Sequence, residues 1–450
     1  MREPVRAYIA LGSNMGDRIA MIEEACKEMD SDGTIKILRT SSLWETEAMY
    51  VSDQNNFVNG ACEVETRLSP IELLDKLQAI ENAMGRVKVI DKGPRCIDLD
   101  VLLYGEMPYQ HERLQIPHPL MLEREFVLRP MSELIPEFNI PLERSVGTVV
   151  ENLTRLPPSD PPLTTLTPLA PSLPPITALH PARKTLIMTI LNLTPDSFSD
   201  GGFHTSASLQ STISRLLPHT HILDIGGQSS RPHAPSIPAA AESARVLPAI
   251  ALARSLHVPA ISVDTYRAPV ADAALRAGAT IVNDISGGLL DPEILNVTAR
   301  HGATFVITHT RGTPDTMNSL THYPHGLIPT VASELLERVH AAESAGIRRW
   351  RIILDPGIGF AKTGEQNLEL LRRLGELRGW PGLEGLPWLV GASRKGFIGK
   401  LTGVGEAKER GWGTAGAVAG AVVGGADVVR VHDAREMGEC VKVLDAIYRV

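Results

Sequence analysis

The chain has little cysteine, no excess of basic charge and no long apolar run. Its four cysteines, Cys26, Cys62, Cys96 and Cys440, show no CxxC spacing, which suits reduced thiols in an intracellular protein rather than a disulfide framework. The formal net charge is −8 at pH 7, so the surface offers no basic excess for neutralising nucleic-acid phosphates. We therefore expect no nucleic-acid partner.

The apolar segments are too short or too interrupted for export or membrane insertion. The first apolar run is shorter than a signal-peptide core. Residues 412–429 are rich in Gly and Ala but contain Asp427, which favours a packed helix and strand over a membrane span. We expect an intracellular protein, cytoplasmic unless an upstream segment directs it to mitochondria. The chain starts just before its first predicted strand, so it could belong to a longer product.

A proline-rich stretch divides the sequence. In residues 157–175, PPSDPPLTTLTPLAPSLPP, eight of nineteen residues are proline. Proline removes backbone donors and fixes φ, which favours extended chain over a packed element. We therefore predict a first domain over residues 1–156, a linker over 157–182 and a second domain over 183–450. A long loop within one domain is the alternative, although such loops are uncommon in compact domains.

The first half has the pattern of a ferredoxin-like α+β domain. Apolar alternation and helix-capping signals predict the order β-α-β-β-α-β. The predicted elements are strands over residues 5–11, 35–42, 57–66 and 97–104, and helices over 17–29 and 69–84.

A pair of carboxylates marks the last of these strands. Side chains alternate along a strand, so Asp98 and Asp100 share one face. Like charges this close repel, and a divalent cation such as Mg²⁺ bound together with nucleotide phosphates is the usual compensation. A solvated strand face is the simpler alternative for an isolated DxD pattern.

Surrounding residues favour the functional interpretation. Cations suited to a triphosphate are grouped here in a half that is not basic overall: Arg86, Lys88, Lys92, Arg95, Arg113, His118 and Arg124. Asn59, Phe57 and Phe126 could clamp a flat heterocycle, because amides bind ring edges and aromatic rings stack on faces. Taken alone, each of these three residues is more typical of a core position.

Six ordered segments resemble 6-hydroxymethyl-7,8-dihydropterin pyrophosphokinase: LGSNMGD, SSLWETE, FVN, ENAMGRV, GPRCIDLDVLLYG and IPHPLMLEREFVLRP. The resemblance implies that Asp98 and Asp100 hold two Mg²⁺ ions bridging ATP. It places Arg86, Arg95 and Arg124 near the transferred phosphates. It implies a nucleotide site formed by Gln78, Glu81, Arg113 and His118, and a pterin site formed by Thr46, Phe57, Asn59 and Phe126. The segment between Arg86 and Gly93 is one residue shorter than in familiar members, with Lys92 where an aromatic residue often precedes GPR.

The second half alternates apolar strands with helical stretches. Eight strands are predicted, which indicates a parallel (β/α)8 TIM barrel; an open doubly wound sheet is the alternative. The predicted strands cover residues 185–193, 221–227, 259–265, 280–286, 304–310, 351–357, 388–393 and 427–433.

Every predicted strand ends in a polar group. In a TIM barrel the carboxyl ends of the strands form the active-site face, so these groups are expected to converge. They are Asn192, Asp224, Asp264, Asn283 with Asp284, His309, Asp355, Ser393 to Lys395, and Arg430 with His432. Asp224 and Asp284 could instead only cap the turns that follow them.

The strand-end groups divide by chemistry. Asp264, Asn283, Asp355 and Lys395 offer acceptors and donors to a 2-amino-4-oxo pyrimidine edge, as in a pterin. Asn192, Arg231, Arg430 and His432 suit an anionic leaving group and its Mg²⁺ ion. Two loops, residues 194–203 and 228–235, follow strands directly and carry Ser, Asp and Arg. We expect them to close over a second substrate, with ordinary surface loops as the alternative.

Seven segments of this half resemble dihydropteroate synthase: MTILNLTPDSFSDGG, ILDIGGQSSRP, ISVDT, IVNDISGG, ILDPGIGF, GASRKGFIG and VVRVHD. The implied reaction joins p-aminobenzoate to the pterin diphosphate and releases pyrophosphate. The resemblance implies a pterin site of Asp264, Asn283, Asp355 and Lys395, and one Mg²⁺ ion on Asn192. It assigns the diphosphate to Arg231, Arg430 and His432, and the aminobenzoate or its loop to Ser230 and Ser393.

The second resemblance has departures, and two other functions remain open. Gln228, Ser230 and His233 replace the Glu, Thr and Gly often found in that loop. A corrinoid-dependent methyltransferase barrel is one alternative, but no cobalamin-type module is evident. A pterin-binding scaffold without one or both activities is the other. We expect small-molecule partners only, namely ATP, hydroxymethyldihydropterin and p-aminobenzoate, with a homodimer through the barrel left open. Some members of the family carry an upstream aldolase.

Overall fold

The structure is a computed structural model that describes residues 2–49, 54–85, 93–194, 206–229 and 235–450. Its contacts divide the chain into two compact units. The first comprises Met1–Leu166 with Arg348–Trp350, and the second comprises Thr167–Ile347 with Arg351–Val450. Each unit has its own sheet and is described separately. Among the described residues, no helix is both long and apolar enough to cross a membrane.

The first unit is built on an antiparallel sheet. Its strands are β1 (Val5–Ser13), β2 (Ile35–Thr40), β3 (Leu43–Thr46), β4 (Phe57–Thr66), β5 (Asp98–Tyr104) and, in a separate hairpin, β6 (Tyr109–His111) and β7 (Leu114–Ile116). The strand order is β5-β1-β4-β3, and β2 also pairs with β4. The helices are α1 (Arg18–Asp30), α2 (Pro70–Ala83), α3 (Glu125–Leu134) and α4 (Val149–Arg155). The predicted ferredoxin-like order is confirmed by β1, α1, β2, β4, α2 and β5.

Local sequence explains where the helices begin and which face they bury. Asp17 accepts a hydrogen bond from the backbone N–H of Ala20 at the start of α1. Ser69 and Glu72 form a capping box before α2, with Pro70 in the first turn, where its missing N–H is not needed. Leu73 and Leu77 lie one turn apart and are fully buried. They fix the apolar face of α2 against the sheet.

Both faces of the sheet are covered. Ala7, Ile9 and Leu11 of β1 belong to one core cluster, together with the buried residues of α1 and α2. Tyr8 belongs to the cluster on the opposite face, with the buried residues of α3 and α4. Alternate side chains of β1 therefore pack into two separate cores. Asp98 and Asp100 of β5 lie on the face that α3 covers.

The second unit is a closed parallel barrel. Its strands are β9 (Leu186–Asn192), β10 (Ile222–Gly226), β11 (Ala260–Asp264), β12 (Ile281–Asp284), β13 (Thr304–Thr308), β14 (Ile352–Asp355), β15 (Leu389–Val390) and β16 (Val428–Val431). The sheet runs from β14 through β9 to β15 in eight strands, and a bridge between Leu354 and Trp388 joins its two edges. The predicted TIM barrel is confirmed, and the open sheet is excluded.

Helices surround this barrel. They are α5 (Ser206–Leu216), α6 (Ala239–Ser255), α7 (Ala268–Ala277), α8 (Glu293–His301), α9 (Leu327–Ser344), α10 (Gly364–Arg372), α11 (Leu374–Arg378), α12 (Gly396–Thr402), α13 (Gly411–Val423) and α14 (Ala434–Tyr448). Inside the barrel, an apolar layer that includes Met188, Ile222 and Ile353 lies below the polar strand ends. The polar groups therefore lie above a layer of buried apolar side chains, at the carboxyl-terminal end of the barrel.

The proline-rich stretch is packed over much of its length. Thr164–Leu166 forms β8, which pairs with β3 of the first unit. In the second unit, Leu169 and Ile176 are buried in the apolar layer of the barrel, and the Thr304 hydroxyl donates to the Pro168 carbonyl at 2.6 Å. The interpretation of an unpacked linker is wrong at these residues. The domain limits themselves stay a prediction.

Candidate functional site

The first site lies across three neighbouring strands of the first unit. In β1, Gly12 pairs with Asn59 of β4 and with Asp98 of β5. Ala10 pairs in the same way with Asp100. A Cβ atom at Gly12 would lie 3.4 Å from Oδ1 of Asn59. Because Gly12 and Ala10 have small side chains, the space between Asn59 and the two aspartates stays open.

The two carboxylates of β5 repel each other, as their spacing predicts. Burial, followed by the charges of Asp98 and Glu81, raises the pKa of Asp100 to about 7. The Arg95 guanidinium donates to Asp98 at 2.6 Å, so one of the two negative charges is already paired. Oε1 of Glu81 accepts a hydrogen bond from the Leu99 N–H at 2.7 Å. Glu81 therefore fixes the backbone between the two aspartates.

This donor set fits Mg²⁺. The described residues contain no group of three or more His, Cys, Asp or Glu side chains arranged for a metal. Mg²⁺ usually takes only one or two protein carboxylates and completes its shell with waters and substrate phosphates. A cation would also relieve the repulsion that raises the Asp100 pKa. Asp98 and Asp100 are thus suited to ions that arrive with a nucleotide.

Basic residues lie next to the carboxylates. Burial and the Arg124 charge lower the pKa of His118 to about 4, while Asp98 acts in the opposite direction. His118 is therefore a neutral imidazole at neutral pH. The Arg124 guanidinium carbon lies 5.6 Å from the Phe126 ring centroid, at the start of α3. The structure brings these three predicted residues to one end of the site.

The remaining predicted residues of the first unit form two smaller groups. The Asn59 amide donates to the Thr46 hydroxyl at 2.8 Å, and Thr46 pairs with Phe57, so three of the four proposed pterin residues are neighbours. The second group belongs to the proposed nucleotide site, where Arg113 donates to Gln78 at 3.4 Å. Arg86 lies outside the described residues, as do Lys88 and Lys92.

Asn14 is a site residue that the sequence reasoning missed. It is 1% exposed, and its Oδ1 accepts from the Arg95 N–H at 2.8 Å. Its Nδ2 donates to Gln54 Oε1 at 3.0 Å and to the Asn55 carbonyl at 3.2 Å. One amide thus ties the GPR segment to the segment before Phe57. Its place in LGSNMGD, after an apolar strand, was the available signal.

The second site is a polar layer inside the barrel. The Arg430 guanidinium donates to Asp224 at 2.7 Å and to Asp264 at 2.6 Å. The Asn283 amide donates to the same oxygen of Asp224 at 3.1 Å. The buried Asp224 carboxylate therefore joins three strands, and Arg430 extends the network to Asp264 on a fourth. Against the lowering effect of burial, Asp224 and Asp264 raise the pKa of Arg430.

Asp224 does not act as a turn cap; its carboxylate binds Asn283 and Arg430. It is fully buried and holds two residues assigned to pterin and diphosphate. Asp284, by contrast, accepts from the backbone N–H groups of Ser286 and Gly288, so the turn-capping interpretation applies to Asp284. No sequence signal separated the two aspartates, because both lie within short apolar strands.

Lys395 lies within electrostatic reach of Asp355 and Asp264 in the same polar layer. Burial raises the pKa of Asp264 to about 7, although Arg430 opposes it. Burial also raises the pKa of Asp355, with Lys395 acting in the opposite direction. Burial lowers the pKa of Lys395 to about 8. These shifts are typical of charged groups gathered in a water-poor site.

Other strand ends complete the site. The Ser393 hydroxyl lies 3.0 Å from Nδ1 of His432. A Cβ atom at Gly226 would lie 3.4 Å from both Asn192 Oδ1 and Asp264 Cβ, so Gly226 leaves the space between these two side chains open. A single amide oxygen such as that of Asn192 suits a Mg²⁺ ion whose other ligands are waters and phosphate oxygens. Ser230 and Arg231 lie outside the described residues, as do His233 and most of both predicted loops.

Gln228 remains well anchored despite its departure from the usual Glu. Its Oε1 accepts from the Arg267 guanidinium at 2.8 Å and from the Ile237 N–H at 3.3 Å. Arg267 also forms an ion pair with Glu242. A neutral amide at position 228 thus bonds to Arg267 without placing a second negative charge beside the buried Glu242.

Two family models match the two halves. A model described as 7,8-dihydro-6-hydroxymethylpterin-pyrophosphokinase matches residues 8–136. A model described as pterin binding enzyme matches residues 188–432. Their limits enclose the described residues of both sites.

Curated relatives carry both halves in one chain. Folic acid synthesis protein fol1 of Pneumocystis carinii is 45% identical over 447 residues, covering 98% of this chain and 60% of its own length. The mitochondrial folate synthesis bifunctional protein of Arabidopsis thaliana is 38% identical over 460 residues, covering 98% and 83%. This chain thus spans about 60% of the fungal relative, and most of the plant relative.

Solved structures agree with the fold. The Plasmodium falciparum HPPK-DHPS structure with pterin and p-hydroxybenzoate has a TM-score of 0.82 at 21% identity, covering 100% of this chain and 98% of that chain. A Clostridium difficile dihydropteroate synthase structure has a TM-score of 0.55 at 38% identity, covering 59% and 98%. The chain belongs to the family of bifunctional folate-synthesis proteins that join a hydroxymethyldihydropterin pyrophosphokinase domain to a pterin-binding barrel.

Proposed function

We propose that this chain catalyses two consecutive steps of folate synthesis. The first transfers diphosphate from ATP to 6-hydroxymethyl-7,8-dihydropterin. The second condenses the resulting pterin diphosphate with p-aminobenzoate to give 7,8-dihydropteroate and pyrophosphate. The observation that carries this proposal is the pairing of Asp98 with Asn59 across Gly12, together with the layer of Asp224, Asp264 and Arg430 in the barrel. Each site has groups for an anion beside groups for a polar ring edge.

In the first step, the pterin hydroxyl attacks the β-phosphorus of ATP and AMP departs. Asp98 and Asp100 would hold two Mg²⁺ ions, which neutralise the triphosphate when bound. Arg95 and Arg124, with Arg86, would stabilise the charge that develops on the transferred phosphates. Asn59 and Thr46 would bind the ring edge, with Phe57 and Phe126 on its faces. Gln78, Glu81, Arg113 and His118 would line the nucleotide site.

In the second step, the bond from the pterin methylene to the diphosphate breaks, the amine of p-aminobenzoate attacks the cation, and the nitrogen loses a proton. Asp264, Asn283, Asp355 and Lys395 would bind the pterin and spread its positive charge. Arg231, Arg430 and His432 would hold the departing pyrophosphate, and Asn192 one Mg²⁺ ion. Ser230 and Ser393 would contact p-aminobenzoate or its loop.

A homodimer through the barrel is part of this proposal. An apolar groove of about 590 Å³ is lined by α10, α12 and α13, with Leu371, Ile398 and Val423 among its residues. Leu401, which lines the groove, is 62% exposed, and Trp412, next in sequence to the lining residue Gly413, is 92% exposed. Exposed apolar surface of this kind usually marks an interface. Sedimentation of the full chain should give a dimer, and Leu401→Glu should give a monomer; a monomeric wild type would exclude it.

We propose an intracellular location and small-molecule partners only. The cytoplasm is favoured, and mitochondria apply if a targeting segment precedes this sequence. The relatives named mitochondrial in Arabidopsis thaliana and Pisum sativum make the second case worth testing. Fractionation of cells that express the full-length product would decide between the two compartments.

The test of function separates the two steps on one chain. With ATP, Mg²⁺, hydroxymethyldihydropterin and p-aminobenzoate, the wild type should produce AMP and dihydropteroate. Asp98→Ala should lower AMP formation by on the order of 100-fold or more but still make dihydropteroate from supplied pterin diphosphate. Lys395→Ala should still form AMP but should make little dihydropteroate from supplied pterin diphosphate. A mixture of the two variants should restore dihydropteroate formation from ATP, hydroxymethyldihydropterin and p-aminobenzoate.

The same assay tests the alternative functions. A wild type that forms neither AMP nor dihydropteroate would support the inactive pterin-binding scaffold. A barrel that instead transfers a methyl group from a methylated pterin to a corrinoid would support the methyltransferase. The segments TPDSFSDGG and SRK favour the synthase over that reaction.

A further inference from the structure

Two lysines bracket the turn that follows β14. The Lys395 ammonium donates to the Ile358 carbonyl and lies 4.4 Å from the Phe360 ring centroid. The Lys362 ammonium donates to the Phe360 carbonyl at 3.0 Å. The proposed reaction uses Lys395 but gives Lys362 no role. Its position beside Phe360 therefore requires an explanation.

Lys362 is buried, which is unusual for lysine unless it is paired. It is 7% exposed, and its Nζ lies 2.8 Å from Nδ1 of His309. Burial lowers the pKa of Lys362 to about 7; Lys395 and Arg311 act in the same direction, whereas Asp355 and Glu334 oppose it. The charged and neutral forms are therefore both populated near neutral pH.

His309 connects this lysine to the surface of the barrel. Its Nε2 lies 2.9 Å from Oε2 of Glu334, and the two side chains are 1% and 32% exposed. Because the Glu334 carboxylate only accepts, His309 carries its proton on Nε2 and Nδ1 accepts from Lys362. Arg311 donates to both oxygens of Glu334, which fixes the outer end of the chain. A hydrogen-bonded path thus runs from a buried ammonium to a partly exposed carboxylate.

The backbone beside Lys362 is held in a strained conformation. Ala361 has a φ of 50° and is fully buried, and its carbonyl accepts from the Tyr323 hydroxyl at 2.9 Å. The left-handed conformation brings the Cβ of an alanine too close to the backbone, and such strain persists where the surroundings enforce it. Gly357 has a φ of +71°, and a Cβ there would lie 1.9 Å from the His309 carbonyl oxygen and 3.3 Å from Lys362 Nζ. The whole turn is therefore shaped around Lys362 and His309.

We propose that Lys362 is a positioning residue for the pterin site, which sets the charge that Asp355 and Lys395 present to the pterin and exchanges its proton with solvent through His309 and Glu334. The groups that face Lys362 are Asp355 on β14, Lys395 before α12, Glu334 on α9, and His309 and Arg311 after β13. The inference rests on the proposed second step, because it concerns the binding of pterin diphosphate there.

The sign of the effect follows from charge. A protonated Lys362 favours ionised Asp355, which accepts N–H groups from the pterin edge. A neutral Lys362 leaves only Lys395 and Arg430 among these cations to balance that carboxylate. The KM for pterin diphosphate should therefore rise about tenfold as pH increases from about 6 to 8. Lys362→Arg keeps the charge, so its KM should stay low at pH 8, whereas Lys362→Met should have the high KM at both values.

The experiment measures dihydropteroate formation by the full chain from supplied pterin diphosphate and p-aminobenzoate between pH 5.5 and 9. Lys408→Met removes an exposed lysine of the same unit and is the matched control, expected to follow wild type. Glu334→Gln keeps the side-chain shape and should shift the midpoint of the KM change. First-step activity of each variant checks the first unit, and thermal unfolding checks the barrel.

The outcomes are distinct. If wild type makes no dihydropteroate from supplied substrates, the proposed function fails. If wild type is active and the Lys362 variants keep its KM and pH profile, as Lys408→Met should, the positioning role is wrong. If Lys362→Met does not fold, Lys362→Arg and Glu334→Gln decide the matter, and wild-type profiles for both would overturn the proposal.

Discussion

Nε of Arg430 lies 2.7 Å from Oδ2 of Asp224, a carboxylate with no exposed surface. The ion pair holds the guanidinium in the barrel interior, where its Nη2 donates to Asp264. One aspartate that would not itself contact the pterin therefore orients groups assigned to both ends of that substrate. Removing one partner of a buried ion pair commonly costs 3–5 kcal/mol, because a charge is left uncompensated.

Asp224→Asn should weaken binding of pterin diphosphate. The amide keeps the shape but removes the charge opposite Arg430, so we expect its Kd to rise on the order of 10-fold to 100-fold. Titration calorimetry with pterin diphosphate measures this. Asp284→Asn is the matched control, a buried carboxylate on β12, two strands from the β10 strand of Asp224, whose partners are Ser286 and Gly288. That control should lower stability without a specific loss of affinity; equal losses in both variants would contradict the assignment.

Asn14→Asp should impair the first step selectively. The new oxygen cannot donate to Gln54 or to the Asn55 carbonyl, while the acceptor for the Arg95 N–H remains. Losing both hydrogen bonds that the buried Asn14 amide donates costs about 1–3 kcal/mol, and we expect the KM for hydroxymethyldihydropterin to rise by on the order of tenfold. Initial rates of AMP formation measure it. Gln54→Ala should show a smaller effect in the same direction, and an unchanged KM for Asn14→Asp would exclude the role.

His309 makes the local stability of the barrel pH-dependent. Burial lowers its pKa from the ordinary 6.5 to about 4, so the folded state binds fewer protons than the unfolded state between these values. Stability is fully present above pH 6.5 and is lost as pH falls toward 4, by at most about 3 kcal/mol.

The comparison with His309→Gln isolates this contribution, because other buried groups also titrate in the same range. Hydrogen exchange of peptides from β13 and β14 should show wild type losing about 3 kcal/mol relative to the variant between pH 6.5 and 4. A constant difference across that range would mean that His309 does not titrate on unfolding.

Leu169→Ala should destabilise the barrel, although Leu169 lies in the proline-rich stretch. The side chain is 1% exposed and packs in the apolar layer, so its truncation should cost about 2–5 kcal/mol. Thermal unfolding measures the loss, and first-step activity should be unchanged. Leu163→Ala, at a partly exposed position in the same stretch, is the control and should cost less. An unpacked linker would instead make both substitutions neutral.

Much of the fold followed from the sequence because its signals are local. The eight barrel strands are short apolar runs with polar groups in or just after them, and Ser69 with Glu72 marks a helix start by side-chain chemistry alone. Asp98 and Asp100 share a face by strand alternation, whatever else surrounds them. The elements that escaped prediction, such as β3 and β8, are short strands specified by their partners rather than by their own residues.

Local sequence patterns specify the two fold classes and the residue types near the strand ends. Which buried polar groups pair depends instead on the three-dimensional fold. Asp224 and Asp284 have similar local sequences, yet one meets Arg430 and the other caps its own turn, because the barrel brings together strands more than 200 residues apart. Leu169 likewise packs because an apolar layer lies beneath it, which overrides the extended preference of its proline neighbours. Pairing and burial depend on contacts distant in sequence, and local pattern cannot encode them.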